Sequence, residues 1–501
     1  MSEKTAQLPP EPAWAIVSSI CVGGLLIGLS IACVMLGFCD AAGAIDAGGD
    51  EHFELLKGYM TWRLGYARGV PWNDQPPLHT LLIGLVFSLS NGSLAVVRGT
   101  AVLASGLLLS GAAMRIGAPM RRSLLGIGVC TWLLVSAKAT ANLYFTPMLE
   151  IPAFGLALWG SHLFLQSRSA GGALAGGVLW SAAVGVKLTS LMMFPALIVI
   201  ASLRLYLAGS PSRRKEIGRY FVFFGVIAIL FCSWALYSGG GLFAALWTSH
   251  EKASLNIEAE SHQFDLLRYM STPLGIGVCL CLLFGRVLGL FSIDHGFEWV
   301  WLITALGVHS VHVPFWSYYD LHINIPAAIL IGRALESLAK VSWLCDETNP
   351  YRRCVCASLC KLWIGFVCIA SNLVAWVGEL ELVSERRRIN RSVMIDTIGR
   401  ETRTDDVVFC FSGMVNVVSD RISIPSISLR PAKRFWSGDL TSERVWSIVE
   451  EARPRGIVWS TSSELPANIL RLLAAEYRYV CEEGGETLWI RDEQLKTDYN
   501  R

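Results

Sequence analysis

Twelve apolar runs, most of them near twenty residues long and almost free of charge, divide the first three-quarters of this 501-residue chain. They cover 14–38, 76–91, 94–114, 122–138, 147–166, 171–188, 189–207, 218–238, 272–292, 296–315, 321–339 and 361–380. A helix rises about 1.5 Å per residue, so about 20 apolar residues cross the ~30 Å hydrocarbon layer of a bilayer. Within that layer no water satisfies the backbone, and only helices or closed barrels can span it. Runs of this length and spacing restrict the chain to a polytopic α-helical membrane protein of 11 to 13 helices. Charge usage agrees: 16% of residues are charged, against roughly 25% in soluble domains. The first run exceeds the ~7–15 residues of a signal-peptide core, and only Lys4 is basic before it, so it reads as a retained helix.

The side of the membrane follows from the basic loops, which favour the cytoplasm. Arg115, Arg121 and Arg122 form one cluster, Arg204, Arg213, Arg214, Lys215 and Arg219 a second, and Arg333, Lys340, Arg352, Arg353 and Lys361 a third. Placing all three inside puts loops 139–146, 239–271 and 316–320 outside, with everything after 380. A cytoplasmic N-terminus puts loop 39–75 outside as well. Two full crossings within 76–114 would break the pattern, so either 76–91 only dips into the membrane or the rule fails there. Loop 239–271 carries Glu251, Lys252, Glu258, Glu260, Asp265 and Arg268 and reads as a solvated loop or a lid.

After residue 380 the composition changes. Glu385 and Arg386–Arg388 open a polar helical stretch, and β-type runs follow at 407–411, 422–424, 456–459, 479–481 and 487–490, with helical patterns at 441–453 and 466–477. This alternation reads as a small C-terminal α/β soluble domain, 384–501, appended to a transmembrane domain, 1–383. The arginine triplet taken alone would place that domain in the cytoplasm; the alternation of loops places it outside. A net charge of +2 gives no case for nucleic acid. The 14 cysteines lie mostly singly in apolar runs, as Cys21, Cys33, Cys130, Cys232 and Cys368 do, and lack zinc-site spacing; they read as small hydrophobes, and no metal or other cofactor is expected.

The first outer loop holds the polar groups of most interest. Asp50 and Glu51 follow Gly48-Gly49, just beyond the first apolar run. A carboxylate in that place can act as a general base on an acceptor hydroxyl or amine. Asp40 and Asp46 compete with it. Phe53, Leu56, Met60 and Leu64 recur at helical spacing, so the stretch after Asp50 reads as a helix lying on the membrane with one face in lipid. Pro76-Pro77 then stops the loop and starts the next helix. Ionisable groups within apolar runs are costly and mark candidate sites. Lys187 follows the apolar stretch 181–186 and suits a phosphate contact as readily as snorkelling to the interface. Arg98 either pairs with Glu150 or an outer-loop carboxylate, or marks a cytoplasmic helix end. Glu150 sits near an outer helix end. His79 and His322 are structural histidines or substrate contacts, and Tyr318 and Tyr319 either an aromatic belt or donor contacts.

In order along the chain, Asp50-Glu51, Gly69-Val70-Pro71, Gln75-Pro76-Pro77-Leu78-His79 and Arg98 resemble the GT-C superfamily of polyprenyl-phosphate-sugar glycosyltransferases. The likeness is to the protein O-mannosyltransferase branch and its bacterial relatives, among them the lipid A aminoarabinose transferases. Met148-Leu149-Glu150-Ile151-Pro152, the glycine-rich stretch from Gly176 to Lys187, and Tyr318-Tyr319-Asp320-Leu321-His322 through Pro326 continue the series. The resemblance spans roughly 14–340. It departs at His79, where many relatives carry an aromatic residue, and around Glu150, which lacks a basic neighbour in sequence. It implies inverting transfer of one sugar from a polyprenyl-phosphate donor to a protein, lipid A or other envelope-glycan acceptor, at the periplasmic face of a bacterial inner membrane. Asp50 maps onto the family's catalytic base, with Glu51 beside it. Lys187, Glu150, Tyr319, His322, His79 and Arg98 become candidate substrate-binding residues.

Two other classes fit a polytopic chain. A transporter or lipid flippase would carry inverted repeats and broken helices with polar groups at the midplane; no such repeat is visible. A membrane scaffold would do its work through the C-terminal domain, and deletion of 384–501 separates it from an enzyme.

Overall fold

Apolar runs become helices because a backbone without water must bond to itself. In the computed structural model the described residues are 13–42, 50–117, 120–137, 140–237, 251–252, 255, 263–286, 290–292, 295–313, 315–341, 392–461 and 465–492. Eleven of the twelve runs fall wholly or mostly among them, and the described part of each is mainly helical. Run 361–380, Arg386–Arg388 and most of loop 239–271 lie outside the described residues. The helices are α1 (Ala13–Ala42), α2 (Glu51–Leu64), α3 (Pro77–Leu89), α4 (Leu94–Ile116), α5 (Met120–Val135), α6 (Glu150–Gln166), α7 (Ala170–Val186), α8 (Phe194–Leu207), α9 (Ser210–Tyr237), α10 (Pro273–Phe284), α11 (Gly296–Val311) and α12 (Asp320–Val341). Among the described residues, four stretches are long and apolar enough to cross a membrane by length and composition: Ser19–Ala42, Leu94–Ile116, Leu188–Leu207 and Ser212–Ser233.

Helices pack closely where glycines face each other. A Cβ on Gly126 of α5 would lie 2.6 Å from the Gly332 carbonyl oxygen of α12, and one on Gly160 of α6 would lie 2.8 Å from that of Gly176 in α7. Small residues let backbones approach, and dispersion then holds apolar helices that gain little by leaving lipid.

The basic groups gather at one end of the bundle. Arg204 and Arg219 donate to the carbonyls of Leu165 and Phe164 at the C-terminal end of α6, where unpaired carbonyls and the helix dipole both favour a cation. Arg115, at the end of α4, donates from Nε to Oε1 of Glu298 at 2.8 Å, and Arg333 of α12 donates to Oε2 at 3.0 Å. Glu298 is fully buried and holds α4, α11 and α12 together. Glu298→Ala leaves two guanidiniums without their carboxylate, and is expected to destabilise the protein by about 3–5 kcal/mol. Detergent-solubilised variant should unfold at markedly lower temperature and express poorly; an unchanged unfolding midpoint would contradict the tie.

Helix α3 begins and ends at the other end. Leu78, in its first turn, packs on Gly185 at the end of α7. Arg98, in the second turn of α4, donates to the Ala41 carbonyl at the end of α1 at 2.6 Å. The chain from 77 to 98 therefore returns to the level it started from. The turn between is made at Asn91 and Gly92, both at positive φ, and α3 lies along α2, with Gly58 of α2 against Ile83. Residues 77–89 therefore do not carry the chain from one end of the bundle to the other.

A mixed sheet forms the C-terminal unit: β1 (Val408–Cys410), β2 (Gly456–Ser460), β3 (Tyr477–Glu483) and β4 (Glu486–Arg491), in the order β1-β2-β4-β3. β1 and β2 are parallel, and β4 is antiparallel to both its neighbours. Helices α13 (Ser392–Glu401), α14 (Gly413–Val418), α15 (Ser442–Ala452) and α16 (Ala467–Glu476) flank it. The expected strand 422–424 is reduced to a single bridge, Val407 to Ile422.

This unit sits on α2. Leu55, Leu56, Tyr59 and Met60 share one buried cluster with Met414, Val417 and Leu429. The apolar face of α2 is thus covered by protein, which corrects the expectation of a lipid-facing helix. Arg63 adds a salt bridge to Asp420 and a 2.8 Å bond to the Thr404 carbonyl.

Candidate active site

Asp50 leads the chain into α2. Asp50 is the residue before α2, its side chain makes no cap bond there, and it is partly exposed. Three further segments meet it. The C-terminal end of α7 brings Lys187, the start of α6 brings Glu150, and the turn before α12 brings Tyr318 and Tyr319.

Lys187 is the hub. Its ammonium is buried, forms a salt bridge with Oε1 of Glu150, and stands 5.1 Å and 5.7 Å from the ring centres of Tyr318 and Tyr319. The charge of Asp50 also acts on it. The Tyr318 phenol feels the nearby Asp50 carboxylate. Burial raises the Tyr318 phenol well above its ordinary range, and the neighbouring Tyr319, Asp50 and Glu150 add to this. Burial likewise raises Tyr319, to about 12, although Lys187 pulls the other way. Both phenols therefore remain protonated donors near neutral pH. Glu150 is fully buried, and its Oε2 has no hydrogen-bond partner among the described residues.

His322 lies one layer deeper. Its Nδ1 is 3.0 Å from Nε2 of His309, and its ring stacks on Tyr319 with centres 5.1 Å apart. It backs the tyrosine and reaches the site through it. Glu51 turns away from Asp50: its carboxylate accepts from Nε of Arg98 at 2.8 Å, and both side chains are buried. Arg98 thus ties α1, α2 and α4 together, the outer-loop pairing among the alternatives the sequence left open.

His79 belongs to a second cluster. Its Nδ1 is 3.4 Å from Oε2 of Glu54, while Nζ of Lys57 is 2.7 Å from Oε1 of Glu54 and 3.9 Å from Asp74. Asp74 in turn pairs with Lys433 of the C-terminal unit. Sequence reasoning passed over Lys57. Its signal is spacing: seven residues beyond Asp50 is two helical turns, so both lie on one face of α2, and Asp50 is among the charges acting on Lys57. Among the described residues no group of three or more His, Cys, Asp or Glu side chains is arranged to hold a metal ion.

Burial would raise the Glu54 carboxyl, but Lys57 and His79 hold it down, to about 2 from an ordinary 4.5. The folded state binds this proton more weakly than the unfolded chain. The resulting stability is complete above about pH 4.5 and is lost as the pH falls toward 2. The unfolding midpoint of the wild type should fall over that range, and that of Glu54→Gln should fall less steeply. Parallel curves would contradict the role of Glu54.

No family model and no curated protein matches the sequence. Among solved structures, the chain is similar to ArnT from Cupriavidus metallidurans bound to undecaprenyl phosphate, with a TM-score of 0.65 at 13% identity over 94% of this chain and 98% of that one. It is also similar to ArnT from the same organism in the apo state, at TM-score 0.62 and 12% identity over the same shares. The chains share a fold over those shares of their lengths, in keeping with the resemblance in sequence.

Proposed function

We propose that the chain is an integral membrane glycosyltransferase that moves a sugar from a polyprenyl-phosphate donor to an acceptor, with inversion, on the extracytoplasmic side. The observation that carries this is the meeting of a partly exposed Asp50, the buried Lys187–Glu150 pair and Tyr318–Tyr319 at one end of the bundle. Undecaprenyl phosphate, the lipid bound to the ArnT structure of the same fold, is the leaving group of the donor class this arrangement suits.

The acceptor hydroxyl or amine attacks the anomeric carbon as the bond from that carbon to the phosphate oxygen breaks. Polyprenyl phosphate departs with the electron pair, and the acceptor proton passes to Asp50, which acts as general base. Charge grows on the departing phosphate, and Lys187 meets it with a fixed ammonium. Glu150 holds that ammonium in place, and its second oxygen accepts a hydroxyl of the sugar. Tyr318 orients Asp50, and Tyr319, backed by His322, forms a wall of the site. Arg98 and Glu51 fix the ends of α1 and α4 beneath it, and His79 shapes the second cluster. The basic end of the bundle, opposite the site, faces the cytoplasm by the positive-inside rule, so the site and the C-terminal unit face outward.

Mass spectrometry of envelope lipids, glycans and proteins tests the reading in cells. A strain without the protein should lack one sugar modification and accumulate its polyprenyl-phosphate donor, and the wild-type gene should reverse both. An unchanged set of sugars and lipid donors in the deletion strain would sink it.

A further inference from the structure

Two arginines of the C-terminal unit fold back onto the turn that begins at Pro425. Arg430 donates from Nη1 to the Ile427 carbonyl and from Nη2 to the Cys410 carbonyl. Arg434 donates from Nη1 alone, to the carbonyls of Leu429 at 2.7 Å and Ser426 at 3.2 Å. Their acceptors Ile427 and Leu429 belong to one short stretch of chain, so the two guanidiniums are neighbours, and the charge of Arg434 acts on Arg430. Each guanidinium rests on aromatic rings. That of Arg434 is 4.8 Å from the ring centre of Trp72, in the loop between α2 and α3, and that of Arg430 is 5.0 Å and 4.7 Å from those of Phe409 and Phe411. Among the described residues neither forms a salt bridge, and the Nε of each is buried without a hydrogen-bond partner. The opposite charges that act on Arg434 are those of Asp439 and Asp74, and Asp74 is paired with Lys433.

A buried guanidinium without a bonded counter-charge is costly, and carbonyls and ring faces offset only part of that cost. On Arg434 the Nε–Nη2 edge makes no hydrogen bond among the described residues. That edge is the fork that donates two parallel hydrogen bonds to an oxyanion. We infer that Arg434, with Arg430 beside it, forms a phosphate-binding site where the C-terminal unit meets the Trp72 loop, separate from Lys187. A carboxylate matches the fork in shape, but a phosphate group brings the second negative charge that two neighbouring guanidiniums favour. Arg434 is 7% exposed and Phe411, under Arg430, is 41% exposed, so the pair opens to solvent on the Phe411 side. The phosphate is that of a lipid headgroup or of a soluble phosphate, and the fork treats both alike. The site is independent of the transfer chemistry at Asp50.

The test uses the full-length protein in phosphatidylcholine nanodiscs, titrated with inorganic phosphate at constant ionic strength, with the unfolding temperature reporting binding. The unfolding temperature should rise with phosphate and saturate. The same should hold in the double variant Lys187→Met, Glu150→Gln, which lacks the other candidate phosphate cation. In that background, Arg434→Lys keeps a positive charge but loses the fork, and should raise the half-saturating phosphate concentration about tenfold. Phosphatidylglycerol built into the discs separates the sources. A headgroup in the site should stabilise the parent protein, leave Arg434→Lys unmoved and block the response to inorganic phosphate; a soluble phosphate in the site leaves the titration as it was. A cryo-EM map of the wild-type protein with the stabilising ligand needs no variant to fold, and should show density on the Nε–Nη2 edge of Arg434. Stabilisation by neither phosphate source, equal stabilisation of Arg434→Lys and its parent, or a map with that edge bare would each overturn the inference.

Discussion

Asp50→Asn should lower sugar transfer by about three orders of magnitude while the protein stays folded. Asparagine keeps the shape and polarity of the side chain but cannot take a proton, and a positioned general base typically contributes about 10²–10⁴-fold. Stability should be spared, because Asp50 is partly exposed and makes no cap bond to α2. Glu51→Gln is the informative contrast. Its carboxylate is 3% exposed and bonded to Arg98, so its loss removes a counter-charge from a buried guanidinium. That variant should lose stability first, and activity only as a consequence. The pair is read by transfer rate and by unfolding temperature measured on the same preparations. A fully active Asp50→Asn would remove the base from the mechanism.

Lys187→Met carries the second large effect. Methionine retains the apolar stem and deletes the charge. The departing phosphate loses its fixed cation, which is expected to cost about 10²–10³ in rate. At the same time Glu150 remains as a buried carboxylate without its partner, expected to cost about 3–5 kcal/mol of stability. Adding Glu150→Gln neutralises that carboxylate, so the double variant should recover much of the lost stability and none of the lost rate. A double variant that recovered both would mean that the pair only braces α6 against α7. Unfolding temperature and transfer rate, measured for both single variants and the double, separate the two roles.

Much of the helical frame is written in the sequence because bilayer thickness sets the length of each apolar run. What covers an apolar face is not written there. Leu56 and Met60 announce a buried stripe on α2, but periodicity gives no sign that Met414 and Val417, far along the chain, bury it rather than lipid. The same gap left 76–91 open, since hydropathy is alike for a crossing helix and for α3 lying on α2. Lys187 and Glu150 stood out because an ionisable residue in an apolar run needs a reason to be there. Their pairing did not, since it depends on α6 and α7 meeting at Gly160 and Gly176. Lys433 is the extreme case: nothing around it in sequence distinguishes it from any surface lysine, and only the docking of the C-terminal unit brings it to Asp74. The segment 422–424 alternated like a strand, but beyond its single bridge at Ile422 the chain turns at Pro425.

The central claim is that Asp50 lies at the centre of a transfer reaction that frees polyprenyl phosphate. Its most direct measurement is the appearance of polyprenyl phosphate by mass spectrometry. Purified wild-type protein and Asp50→Asn would each be incubated with lipid extract from the deletion strain. The account predicts release by the wild type, matched mole for mole by sugar on an acceptor, and release near background by Asp50→Asn. Equal release by both proteins, or sugar moving with no polyprenyl phosphate set free, would contradict it.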